Sequence, residues 1–287
     1  MTLPWRIGEL ALLDGAMGTA LIARGLPEGA LPESWVVERP GEVARVHARH
    51  AACGARILLT CTFNLARVEA SSLPASVEEI ARRAVWLARS ARPGTVAGCA
   101  GATGLSRAAG RGATDGELRE RFERAFRALA AAGADLLRTE THLTLREARA
   151  AVWAARRTGR AVVATAFLAP GPGGLAALDG TPGDEFLLAL WRDGAAAVGV
   201  NCVEPDGALA ALVARAATRV PVPLVVKPNA GLPDGPWTPP RFAAGVMRSI
   251  RAGARLAGGC CGTGTGHLRA LAAMMPRRRT CVPQALG

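Results

Sequence analysis

The chain has 287 residues, half of them apolar, and a net charge of +12 from 35 basic against 23 acidic side chains. That length accommodates one large core and does not call for two, so 1–287 reads as a single domain. The charge is not the footprint of a nucleic-acid binder: every basic residue but Lys227 is Arg, scattered through Ala-rich stretches such as ELRERFERAFRALAAAG rather than gathered on a face and interleaved with aromatics, and there is no Tyr beside six Phe and six Trp.

The start of the chain, MTLPWRIGELALLDG, places one Arg ahead of a short apolar run and has no small-residue cleavage pattern, so it does not read as a secretion signal. No stretch reaches ~18 uncharged apolar residues, so no membrane span is expected. Seven cysteines are an odd number without a secretion signal. A reducing cytoplasm is the expected setting, with any special cysteines acting as metal ligands or nucleophiles.

In chain order, short apolar runs alternate with stretches of helical period. ELALLDG (9–15) comes before a helix over 41–53, ARILLTCTF (55–63) before 76–91, TVAGCAG (95–101) before 114–132, and ADLLRTET (134–141) before 144–157. The pattern continues with AVVATAFL (161–168) and 183–193, AVGVNC (197–202) and 206–218, PLVVKPNAG (223–231) and 239–252, and ARLAGGCCG (254–262) and 266–275. Several helices stop at a Gly just before the next strand, as in AAGADLL, RDGAAAVGV and RAGARLAGG. Eight strand-then-helix units of ~35 residues describe an α/β fold, a single (β/α)8 TIM barrel. A doubly wound open sheet is the competitor, but GCAGATG has the wrong spacing for its phosphate-binding fingerprint.

Polar and reactive residues gather at the downstream ends of the runs: Asp14, then Thr60, Thr62 and Asn64, then Glu140 and His142, Asn201 and Cys202, Asn229, and Cys260 with Cys261. In a barrel these ends converge on one rim, where such enzymes carry their active sites. Adjacent cysteines sit only ~3.8 Å apart at Cα, too close for an ordinary disulfide. Cys202 ends the sixth strand and Cys260/Cys261 the eighth, so three sulfurs can meet around one divalent ion, a soft set that suits Zn2+ with one coordination position open. Consecutive strand residues face opposite ways, so aiming both sulfurs at one ion requires the chain to leave strand geometry, which Gly258, Gly259, Gly262 and Gly264 permit. Asn229, on the strand between, is a candidate oxygen donor to the open position; its other reading is a turn residue in PNAG. Cys53, Cys61, Cys99 and Cys281 read as small buried hydrophobes.

DGAMGT (14–19), TCTFN (60–64), TET (139–141), GVNC (199–202), PNAGLP (228–233) and GGCCGT (258–263) together resemble the homocysteine S-methyltransferase family, in its order and across nearly the whole chain. The resemblance implies a zinc-dependent barrel that transfers a methyl group to homocysteine, giving methionine. It implies Cys202, Cys260 and Cys261 as the metal ligands. It also implies Asp14 and Glu140 near the substrate ammonium, with backbone amides around Gly15 and Thr62 facing its carboxylate. A compact barrel without folate or cobalamin domains resembles the members that use S-methylmethionine or S-adenosylmethionine. Betaine or a separate methylcorrinoid protein is the alternative donor, and the sequence leaves the oligomeric state open. Two rival classes are a Schiff-base aldolase, whose only lysine would be Lys227 and which leaves three cysteines without a role, and a nucleic-acid or zinc-storage protein, which leaves the rim carboxylates without one.

Overall fold

The computed structural model describes residues 9–69, 72–105, 113–231 and 237–276. Cys281 and the end of the PNAGLP motif lie outside them.

The strands are β1 (Ala11–Leu12), β2 (Ile57–Leu59), β3 (Thr95–Gly101), β4 (Leu136–His142), β5 (Val162–Ala166), a small pair β6 (Ala169–Gly171) and β7 (Gly174–Ala176), then β8 (Ala197–Asn201), β9 (Leu224–Lys227) and β10 (Ala254–Ala257). Eight of them form one parallel sheet in the order β1-β10-β9-β8-β5-β4-β3-β2. The two ends meet: Leu13 bridges Ile57 in parallel, Arg56 N donates to Leu12 O at 2.8 Å and Asp14 N donates to Ile57 O at 3.2 Å. The sheet therefore closes into the expected (β/α)8 barrel.

The helices are α1 (Gly18–Ile22), α2 (Ser34–Glu38), α3 (Pro40–Ala52), α4 (Val77–Ser90), α5 (Asp115–Ala131), α6 (Leu145–Arg156), α7 (Gly183–Arg192), α8 (Gly207–Ala217), α9 (Pro239–Ala252) and α10 (Thr265–Met274). Four of the eight expected helices begin where a side chain caps them: Ser76, Thr114, Thr144 and Asp206 each accept from the N–H three residues on. The three glycines expected to stop helices do so in left-handed geometry, with φ 88° at Gly133, 95° at Gly194 and 129° at Gly253. None of the described helices is long and apolar enough to cross a membrane.

Alternate strand residues fill the lumen. Leu13, Ile57, Leu59, Ala97, Leu136, Val163, Val225 and Leu256 form an apolar plug there, separate from the larger core between the strands and the helix shell. Above the plug the same inward faces turn polar, with Cys99, Arg138, Glu140, Thr165, Asn201 and Lys227. That change of character along each strand positions the site at the barrel's downstream end.

Candidate metal and substrate site at the barrel rim

β9 lies between β8 and β10, so Cys202 and the Cys260/Cys261 pair leave the sheet two strands apart. Two departures from strand geometry close the gap. Cys202 adopts φ 58°, a left-handed conformation that costs a non-glycine residue about 1–3 kcal/mol unless its surroundings fix it. Here Cys202 N is tied to Lys227 O at 3.1 Å. After β10 the chain turns at once, with Cys260 N on Pro228 O at 2.8 Å and Cys261 O accepting from Ala230 N at 2.9 Å. Gly262 has φ 77°, and a Cβ there would lie 2.2 Å from Gly231 O. A Cβ at Gly258 would meet Asp14 O at 2.7 Å, so the two rim loops approach only because that residue is Gly. Gly264 has open space around it and φ −102°, so its freedom is not what turns the chain.

The result is a cluster of the Sγ atoms of Cys202, Cys260 and Cys261, all within 4.8 Å of one another, with Cys202 and Cys260 2.8 Å apart. The three thiols ionise as a set. Hydrogen bonds from Cys202 and Cys260 hold the Cys261 thiol down to about 3. Cys202 is pushed up, first by its hydrogen bond to Cys260 and then by Cys261 and burial. One thiol is thus held down while its neighbours are pushed up, an opposition that a cation among the three sulfurs would relieve.

Asn201, fully buried, connects this cluster to the lumen. Its Nδ2 donates to Thr141 Oγ1 at 2.6 Å and to Cys202 Sγ at 3.4 Å, with Cys260 Sγ at 3.9 Å. Its Oδ1 accepts from Thr141 N at 3.0 Å and Thr165 Oγ1 at 2.8 Å. Thr165 in turn accepts from Arg138 at 3.1 Å, and Arg138 Nε pairs with Glu140 Oε2 at 3.1 Å. The other Glu140 oxygen takes the Cys99 thiol at 3.0 Å. Cys99 therefore belongs to the floor of the site, and burial followed by the Glu140 charge keeps it protonated.

The sequence-identified residues divide into those that meet at this rim and those that do not. Asp14 is there, 3% exposed, its Oδ2 accepting Leu59 N at 2.7 Å and its Oδ1 paired with Lys227 Nζ. Gly15 follows it, and its N–H has no acceptor among the described residues. Thr62 turns inward instead: its N–H goes to Thr60 O at 3.0 Å and its hydroxyl to Cys99 O at 2.6 Å, so it shapes the loop after β2. Asn64 anchors the same loop, with N 2.7 Å and Nδ2 3.1 Å from the buried Glu33 carboxylate. Asn229 presents a buried Oδ1 with no hydrogen-bond partner among the described residues.

His142 departs from the expected rim. Thr141 has φ 63° and the β4–β5 register shifts between Thr139 and His142, which turns the imidazole outward to bond Thr139 and to pack edge-on against Phe122 at 5.6 Å. The partners missing from the sequence reading are Thr165 and the role of Asn201; Arg138 reads in sequence as half of a surface ion pair with Glu140, and the structure forms that pair but buries it. Arg138 left a signal, a charge inside the apolar run LLRTET two residues before Glu140 and hence on its face.

Residues 11–275 match the family model described as homocysteine S-methyltransferase. The chain belongs to the homocysteine S-methyltransferase family. It is 31% identical over 300 residues to homocysteine S-methyltransferase YbgG of Bacillus subtilis, covering 92% of this chain and 94% of that protein. It is 32% identical over 298 residues to the homocysteine S-methyltransferase of Escherichia coli, covering 92% and 95%. The solved metallated form of the homocysteine methyltransferase MmuM from Escherichia coli superposes with a TM-score of 0.78 at 28% identity, over 93% of this chain and 96% of that one. As a homocysteine S-methyltransferase, this chain is an enzyme that methylates homocysteine, and the cysteine cluster, the carboxylates and the N–H of Gly15 all occur at one barrel rim.

Proposed function

We propose that this homocysteine S-methyltransferase is zinc-dependent and takes its methyl group from a small sulfonium donor, S-methylmethionine or S-adenosylmethionine. The observation that carries the metal is the convergence of Cys202, Cys260 and Cys261 within 4.8 Å from strands that are not neighbours. Three thiolates fit zinc, and the unpartnered Asn229 Oδ1 is a suitable oxygen for the remaining position when no substrate sulfur is present. The existence of a metallated form of the Escherichia coli relative supports the same reading. When bound, zinc keeps an acceptor sulfur as thiolate at neutral pH, where a free thiol of pKa ~8.5 is mostly protonated.

The protein groups do the rest. Asn201 orients two of the sulfurs through its amide, and the left-handed Cys202 aims its Sγ at the cluster. The amino-acid end of homocysteine lies with its ammonium towards Glu140, on the floor that also holds the Asp14–Lys227 pair, and with its carboxylate against the Gly15 N–H, beside the Thr62 loop. Held so, the acceptor sulfur's lone pair attacks the donor methyl carbon in line; the carbon–donor bond breaks and its electrons leave with the donor.

A sulfonium is a better leaving group than a tertiary amine, so less transition-state stabilisation has to come from the barrel. Betaine would need an aromatic cage for its quaternary ammonium. The chain has no Tyr, and the indole of Trp237, near the rim, already has the Arg241 guanidinium over its face at 4.0 Å. Incubating the metal-loaded enzyme with homocysteine and each donor in turn tests this: S-methylmethionine should give methionine faster than betaine. Faster turnover with betaine, or turnover only with a methylated corrinoid protein, would overturn the donor choice and leave the acceptor intact.

A further inference from the structure

The floor beneath the thiols holds two carboxylates and two cations. Glu140 pairs with Arg138, and Asp14 pairs with Lys227, both members of the second pair being 4% exposed at their side chains. A pocket that holds an α-amino acid by its ammonium needs carboxylates free to receive it. Here each carboxylate already has a resident cation, and both Asp14 oxygens are engaged, one by Lys227 and the other by Leu59 N. Lys227 reaches this point because Val225, two residues earlier on β9, faces the lumen, so the lysine shares that face and passes β10 to the end of β1. It is the only lysine in the chain.

A second ammonium brought to Asp14 would stand beside the first in a desolvated floor, where like charges repel strongly. Glu140 would remain for it, shared with Arg138 and the Cys99 thiol. We propose that Lys227 is a specificity-determining residue of the acceptor pocket: its ammonium occupies the place at Asp14 that an acceptor's own α-ammonium would take, so the enzyme also methylates ω-mercaptocarboxylates that lack that group. This rests on the homocysteine reading of the same site and narrows what the site demands of its acceptor.

The probe is 4-sulfanylbutanoate, which keeps the thiol and carboxylate of homocysteine and lacks its ammonium. Calorimetric Kd values for both thiols, on the zinc-loaded full chain, are measured alongside methyl transfer to each. A charge-assisted contact to a free buried carboxylate corresponds to roughly ten- to a hundred-fold in affinity. The wild type is expected to prefer homocysteine by less than ten-fold, Lys227→Met to raise that preference at least ten-fold over the wild type, and Lys227→Arg to keep it low. A merely structural lysine would leave the ratio unmoved. A wild-type preference of ten-fold or more, or an unchanged ratio in folded Lys227→Met, overturns the inference; if Lys227→Met does not fold, the wild-type ratio decides alone. Binding of neither thiol overturns the homocysteine reading and this inference with it, whereas binding of both with a strong preference overturns this inference only.

Discussion

Asn201 joins two halves of the site that no single strand could connect. One end of its amide faces the sulfurs and the other faces Thr141 N and Thr165, in a chain that runs on through Arg138 to Glu140. N–H groups on ligand sulfurs fix their orientation and offset part of their negative charge, and losing such a partner typically costs ten- to a hundred-fold in metal affinity. Asn201→Ala should therefore weaken zinc binding by about that factor, measured by competition with a chromophoric chelator. Wild-type affinity in a folded Asn201→Ala protein would remove the amide from the metal site's support. The meeting of the three cysteine sulfurs was legible because residue type and strand-end position coincide. Asn201 was visible only as a polar residue before Cys202, since the partners that give it a role lie as far as 60 residues away in sequence. Lys227 stood out as the sole lysine, yet nothing local says that its ammonium meets Asp14, 213 residues earlier.

At the scale of an element, α3 shows what the site requires of the shell behind it. Its His47 and His50 are buried near the Asp14–Lys227 pair; neither ring nitrogen of His47 has a hydrogen-bond partner, nor does Nδ1 of His50, among the described residues. Burial lowers both imidazoles from the usual 6.5 to about 4; Asp14 opposes this for both, while His50 adds to the lowering at His47 and Lys227 at His50. Both rings are neutral in the native state at pH 7, whereas the unfolded chain takes up their protons near 6.5. The stability they contribute is complete above pH 6.5 and is lost as the pH falls from there towards 4, by up to roughly 3 kcal/mol per ring. The urea midpoint should fall between pH 7 and pH 5, and His47→Leu should flatten that fall; an unchanged slope in His47→Leu would contradict the assignment. The long helices and their caps were readable because periodicity extends over three or more turns. The five-residue α1 and α2 are too short to show a period, and the β6–β7 hairpin lies in APGPGGLA, where Gly and Pro read as loop.

At the scale of the whole molecule, barrel closure depends on a short first strand. β1 pairs with β10 through two residues and reaches β2 through Leu13 and the hydrogen bonds flanking it. That seam sets Asp14 and Gly15 beside the loop that carries Cys260 and Cys261, where Gly259 N donates to Asp14 O at 3.0 Å and Ala16 N to Thr263 O at 3.2 Å. The repeat of strand and helix reveals the barrel in sequence, and the barrel then brings the strand ends to one rim. What the repeat cannot reveal is which side chains pair across the lumen, because that depends on register and on the kinks at Thr141 and Cys202. The proposed zinc dependence requires Cys202, Cys260 and Cys261 to hold the metal. It is tested most directly by metal analysis of the purified, reduced protein, with methionine formation followed in the same samples, for the wild type, Cys53→Ala, Cys202→Ala, Cys260→Ala and Cys261→Ala. The expected result is about one zinc per chain with activity in the wild type and Cys53→Ala, and neither metal nor activity in the other three. A metal-free enzyme that still forms methionine, or a Cys260→Ala protein with full zinc and full activity, would contradict it.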